Sequence, residues 1–157
     1  MIKKLRYLTR SKFNTIYSHN LLKQLQKEHK KLLKLINSLE NSLIISRDVS
    51  LKKLEKFRHE FELHVILEHK KLYSKLHSKY EPCGITKIEE IKQELEKVID
   101  LLDKLKEQIN SRKTKEAKII LLSIQRYLQK RIDFEESILY KLYEHDYSCE
   151  ELKLLLN

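Results

Sequence analysis

Apolar residues recur at steps of three and four along four long stretches of the chain, the spacing that lines side chains along one face of an α-helix. Leu22, Leu25, His29, Leu32, Ile36, Leu39 and Leu43 mark the first stretch, and Ile88, Ile91, Leu95, Val98, Leu102, Leu105 and Ile109 mark the third with the same rhythm. The second runs through Leu54, Phe57, Phe61, His64, Glu68, Leu72 and Leu76, the fourth through Ile120, Ile124, Leu128, Arg131, Glu135, Ile138 and Leu142. Such seams bury one stripe per helix, and short polar connections make successive helices antiparallel. The pattern therefore predicts an all-α, up-down-up-down four-helix bundle.

Breaker and capping residues place the boundaries. Ser46 to Ser50 separates the first two helices, Glu81-Pro82-Cys83-Gly84 holds the only Pro and Gly and stops the second, and the polar run Asn110 to Thr114 separates the last two. Thr86 with Glu89 reads as a capping box for the third helix, and Ser148 with Glu151 as one for a short C-terminal helix ending at Leu156. Residues 1–13 are basic and weakly periodic. They are expected to form an N-terminal arm ahead of a bundle over residues 14–157.

Three seams carry polar residues at inward positions: His29 in the first helix, His64 and Glu68 in the second, Arg131 and Glu135 in the fourth. Counted from the middle of the nearest connection, His29, His64, Leu95 and Arg131 lie about 17 to 18 residues away, a depth of roughly 26 Å for each at 1.5 Å per residue. Five ionisable groups are thus expected to converge inside the bundle, where isolated charges are costly and persist only when paired or bound to a metal ion. His64 and Glu68, four residues apart, present an imidazole and a carboxylate on one face, a spacing suited to a metal in a bundle interior. Arg131 offers the other solution, because its guanidinium can sit between Glu68 and Glu135 in place of a metal, with His29 and His64 completing the hydrogen bonds.

Composition narrows the classes. One Gly and one Pro in 157 residues exclude turn-rich β architectures, and 41% apolar residues suffice for a single core. No apolar run approaches the roughly 20 residues that span a bilayer, and Met1 to Leu8 lacks a secretory apolar stretch, so a cytoplasmic protein is expected. Cys83 and Cys149, 66 residues apart without metal-type spacing, are expected to be reduced thiols there. The net charge of +10 is concentrated in Met1 to Leu35, where ten basic residues face the single acid Glu28. Lys3, Lys4, Arg6, Arg10 and Lys12 are the candidate contact residues for an acidic protein partner, with nucleic acid as another polyanion they suit. The absence of a Gly-rich phosphate loop, a nucleophile elbow or a Cys–His arrangement argues against an enzyme.

The string Leu22-Lys23-Gln24-Leu25-Gln26-Lys27-Glu28-His29-Lys30-Lys31-Leu32-Leu33 resembles the first helix of the hemerythrin-like, or HHE cation-binding, domains. Phe61-Glu62-Leu63-His64, continuing to Glu68 and Leu72-Tyr73-Ser74-Lys75-Leu76, resembles their second-helix motif. Arg131 to Leu142 echoes that motif with Glu135, Glu136, Leu139 and Tyr140. The resemblance implies di-iron ligands at His29, His64, Glu68 and Glu135, and iron as the cofactor. It also implies histidines at the positions of Ile91, Leu95 and Arg131, and their replacement implies a reduced or lost site in a cation-binding or cation-sensing, non-catalytic bundle.

A second resemblance, to the regulator-of-sigma-D family, rests on Ile91 through Leu95-Glu96 and on Leu128-Gln129-Lys130-Arg131-Ile132-Asp133-Phe134-Glu135-Glu136-Ser137-Ile138. It implies a metal-free regulatory bundle that binds a protein partner.

Overall fold

The structure is a computed structural model that describes residues 2–84 and 87–156, with the side chains of 20–84, 90 and 94–156. Helix α1 spans Ile2–Ser42, α2 starts with Arg47–Glu68, α3 spans Lys87–Asn110, α4 starts with Thr114–Phe134, and α5 is the short helix Cys149–Leu156. Helix α2 continues through a π-helical turn, His69–Tyr73, into an α-helical end, Ser74–Tyr80; α4 does the same through Glu135–Leu139 into Tyr140–Glu144. Helix α1 packs on α2 and α4, and α3 packs on the same two helices, so the four long helices form a helical bundle.

The helix ends follow local chemistry. Ser148 and Glu151 close a reciprocal capping box, with Ser148 N–H donating to Glu151 Oε2 at 2.8 Å and Glu151 N–H to Ser148 Oγ at 3.2 Å. Pro82 sits in a 3₁₀ turn, Glu81–Cys83, and Gly84 follows at φ 65°, a left-handed conformation that glycine adopts without a Cβ clash. Ser50 falls inside α2 rather than in the connection, its hydroxyl donating to Ser46 O at 2.8 Å. Thr86 of the other proposed capping box lies outside the described residues.

The backbone is helical from Ile2 onward, so the described part of the segment set apart as an arm is continuous with α1. Helical residues flow without a boundary across position 13, where no Gly or Pro interrupts them. The side chains of Lys3, Lys4, Arg6, Arg10 and Lys12 lie outside those described. Among the described residues, no helix is long and apolar enough to cross a membrane.

The apolar interior falls into two clusters. One is built around Leu32, Ile36, Phe57, Phe61, Leu102, Leu105, Leu121 and Ile124, with contributions from all four long helices. The other gathers Leu22, Leu25, Leu72, Tyr73, Leu76, Tyr80, Leu139, Tyr140, Tyr143 and, from α5, Leu152. The expectation of reduced thiols is overturned: Cys83 and Cys149 form a disulfide, with Cα atoms 5.3 Å apart. The fold carries the turn after α2 to the start of α5, a proximity that a 66-residue separation conceals.

Closing a loop of this length restricts the unfolded chain, so Cys83→Ser is expected to lower stability by about 2–4 kcal/mol in urea unfolding. Adding a dithiol reductant should lower the wild-type midpoint to that of the variant.

Candidate metal centre

Between the two apolar clusters lies a layer of polar side chains, with His29 1%, His64 4%, Glu68 0% and Glu135 0% exposed. Each occupies an inward position of its helical seam, which is why the helix that supplies it cannot also keep it in water. His29 comes from α1, His64 and Glu68 from α2, and Glu135 with Arg131 from α4; α3 contributes the half-buried Leu95, packed on the first apolar cluster.

Two carboxylates buried this completely need compensating charge. Arg131, 10% exposed, provides it by reaching both: Nη2 donates to Glu68 Oε2 at 2.6 Å and Nε to Glu135 Oε1 at 2.7 Å. Tyr73 Oη donates to the same Glu135 oxygen at 2.6 Å. Although burial works against the charged form, the Arg131 charge and the two histidines hold the Glu68 carboxyl well below its usual range.

The two remaining carboxylate oxygens face the imidazoles. His64 Nε2 is 3.1 Å and His29 Nε2 3.4 Å from Glu68 Oε1, and His29 Nε2 is 3.2 Å from Glu135 Oε2. Glu135 Oε2 has no hydrogen-bond partner among the described residues. The opposite ring nitrogens are tied outward: His64 Nδ1 donates to Glu28 Oε2 at 2.8 Å, and His29 Nδ1 to Glu136 Oε1 at 2.7 Å. A carboxylate on Nδ1 fixes the tautomer and turns the Nε2 lone pair of a neutral imidazole inward, as in the outer sphere of histidine-bound metals.

Four inward atoms, two nitrogens and two oxygens, therefore lie within 4.8 Å of one another. Ligand atoms about 2.1 Å from a shared ion stand about 3.4 Å apart in a tetrahedron, so the three contacts of 3.1 to 3.4 Å suit one first-row ion, while the widest separation, up to 4.8 Å, has to close for all four atoms to reach it. The donor set fits a cation on chemistry as well as distance, because imidazole and carboxylate together suit iron, zinc or manganese.

All five residues singled out from the seams meet in this layer, while Leu95 brings only packing. Glu28 and Glu136, the carboxylates behind the histidines, were not given roles by the periodicity. Each is next to an inward residue in sequence, and the 100° step between neighbours on a helix aims it across the interface at the next helix rather than at its own seam. The sequence also gives no sign of the two π-helical turns, which begin right after Glu68 and at Glu135. Turns of this kind cluster at functional sites, and these two place Leu72 with Tyr73, and Leu139 with Tyr140, all in the interior.

A helical bundle that carries buried histidines and glutamates midway along its length defines a cation-binding helical domain. The family model described as the hemerythrin HHE cation-binding domain matches residues 20–143, and the chain belongs to that family. No curated protein and no solved structure matches it. The family match falls on the first of the two resemblances read from the sequence.

Removing Arg131 leaves two buried carboxylates uncompensated, so Arg131→Met is expected to cost about 3–5 kcal/mol in urea unfolding of chelator-treated protein. Burial alone lowers the His29 pKa, but the adjoining carboxylates of Glu135, Glu68 and Glu136 outweigh it and push the value up to about 10. With the folded value above the ordinary 6.5, this stabilisation is complete below about pH 6.5 and is lost as pH rises through about 10. The urea midpoint of the cation-free protein should fall across that window, and His29→Gln should flatten the fall.

Proposed function

We propose that the chain binds a single divalent first-row ion, iron in keeping with its family, through His29 Nε2, His64 Nε2, Glu68 Oε1 and Glu135 Oε2, and acts as a non-catalytic cation sensor. In this reading the four long helices run up-down-up-down. The observation that carries it is the division of labour among the carboxylate oxygens. Arg131 takes the outer oxygen of each glutamate, and the inner ones remain turned toward the two imidazoles, Glu135 Oε2 without a hydrogen bond among the described residues.

Arg131 stands where the resemblance implies a histidine. A guanidinium cannot ligate, and its fixed charge repels a second dication nearby, so the arrangement favours one ion over two. When bound, the ion supplies a Lewis-acid centre that joins ligands from α1, α2 and α4. The chain's own residues perform the sensing step: Glu28 and Glu136 orient the imidazoles, Arg131 holds the carboxylates, and three helices become tied at one level. Occupancy is then read out as stability, since a ligand that binds only the folded state stabilises it by mass action.

A cleft of about 270 Å³ between α1 and α2, lined by Glu28, Lys31, Glu60, Leu63 and His64 among others, leads from the surface to the His64 ring and supplies an approach for the ion.

Anaerobic titration of chelator-treated protein with ferrous ion should end at one iron per chain by elemental analysis and raise the melting temperature, and His64→Ala should abolish both effects. Two irons per chain, or none, would refute the assignment.

A further inference from the structure

The end of the bundle opposite α5 is formed by the α1–α2 and α3–α4 connections, and it leaves apolar side chains in water. Ile44 and Ile45, consecutive in the first connection, are 84% and 73% exposed, and Val49 in the first turn of α2 is exposed beside them in sequence. Single apolar side chains are common on surfaces, but two adjacent aliphatics at the tip of a molecule make a protruding apolar edge. Backbone hydrogen bonds fix the turn that carries them: Leu43 N–H donates to Glu40 O at 3.2 Å, and the Ile45 and Ser46 N–H groups donate to Ser42 O at 2.9 and 3.2 Å. The pair is thus displayed by an ordered turn.

The second connection supplies charge. It faces the first across a cleft of about 380 Å³, whose walls include Ile44, Ile45, Arg47, Ile109 and Arg112. Arg112, Lys113, Lys115 and Lys118 are exposed and form no ion pair among the described residues, and Glu116 is the one acid in residues 110–118. Arg47, by contrast, is already paired with Asp48 at 3.1 Å. An apolar tip and a group of unpaired cations therefore share one end of the molecule.

That combination selects among occupants. A second copy would set the patch against itself across a two-fold axis, cation facing cation. Nucleic acid would meet the charges and leave the isoleucines in water. A bilayer with anionic headgroups satisfies both features at one surface, with phosphates at the level of the cations and an acyl boundary just beneath for the apolar tip. We propose that this end of the bundle docks on an anionic lipid surface, Ile44 and Ile45 entering the headgroup–acyl boundary while Arg112, Lys113, Lys115 and Lys118 engage phosphates. The contact is peripheral, and it does not depend on the cation site midway along the bundle.

The chain contains no tryptophan, so Ile45→Trp and Leu154→Trp each place a single emitter, at opposite ends of the bundle; Leu154, on α5, is 80% exposed. The probes are vesicles of phosphatidylcholine, alone or mixed with phosphatidylglycerol. Emission of Ile45→Trp should shift to the blue with the mixed vesicles only and be quenched by bromine-labelled acyl chains, while Leu154→Trp should not respond. Raising the salt concentration should weaken the effect. In the Ile45→Trp background, Lys113→Gln/Lys115→Gln/Lys118→Gln should raise the lipid concentration for half the shift about a hundredfold, and Ile44→Ser about tenfold. All these positions are exposed, so melting temperatures should stay close to that of the unsubstituted chain. The proposal is overturned by an unshifted Ile45→Trp spectrum, by an equal shift with phosphatidylcholine alone, or by a response of Leu154→Trp in its place. It is equally overturned if duplex DNA, or protein concentration without vesicles, produces the same shift.

Discussion

Glu68 and Glu135 are fully enclosed in an interior that is otherwise apolar, and the guanidinium of Arg131 bridges them. Every other polar group in the layer is arranged around this constraint. Charge buried at such depth is tolerated only with close opposite charge and satisfied hydrogen bonds, and the planar donors of arginine meet both needs at once. The bridge leaves one oxygen of each carboxylate free to face the imidazoles. A neutralising device and a candidate ligand set are thus built from the same two side chains.

The polar layer also divides the core. Below it, helices α1 to α4 interlock through Leu, Ile and Phe; beyond it, α1, the ends of α2 and α4, and α5 close over four buried tyrosines. The π-helical turns lie at this transition. They add a residue to the helical turn next to each glutamate, so that two consecutive side chains, Leu72 with Tyr73 and Leu139 with Tyr140, enter the interior. The far end is then sealed by a dense set of links between the α2 and α4 ends. Tyr80 Oη lies 3.2 Å from Leu142 O and from His145 O, Lys79 Nζ reaches the same Leu142 carbonyl at 3.0 Å, and the Cys83–Cys149 disulfide anchors α5.

Much of the site could be read from the chain because helical periodicity reports which face a residue occupies. His29, His64, Glu68, Arg131 and Glu135 fall on inward seams; equal distances from the connections put His29, His64 and Arg131 at one height, and Glu68 and Glu135 follow one turn further on. Periodicity is blind to the rest. A single extra residue in a turn changes a step of four into one of five, a shift too small to stand out where the seam already runs 64, 68, 72, 76. Glu28 and Glu136 lie off their own seams, so their roles depend on which helix is next door.

The sequence by itself determined the all-helical architecture, most helix ends, the inward polar positions and the family, because these depend on spacing and capping within a few residues. Tertiary structure decided which oxygen Arg131 takes and which it leaves, which carboxylate backs each histidine, and that Cys83 meets Cys149. Those outcomes depend on contacts between helices, and such contacts are set by packing distance and angle rather than by any pattern along one strand of the chain.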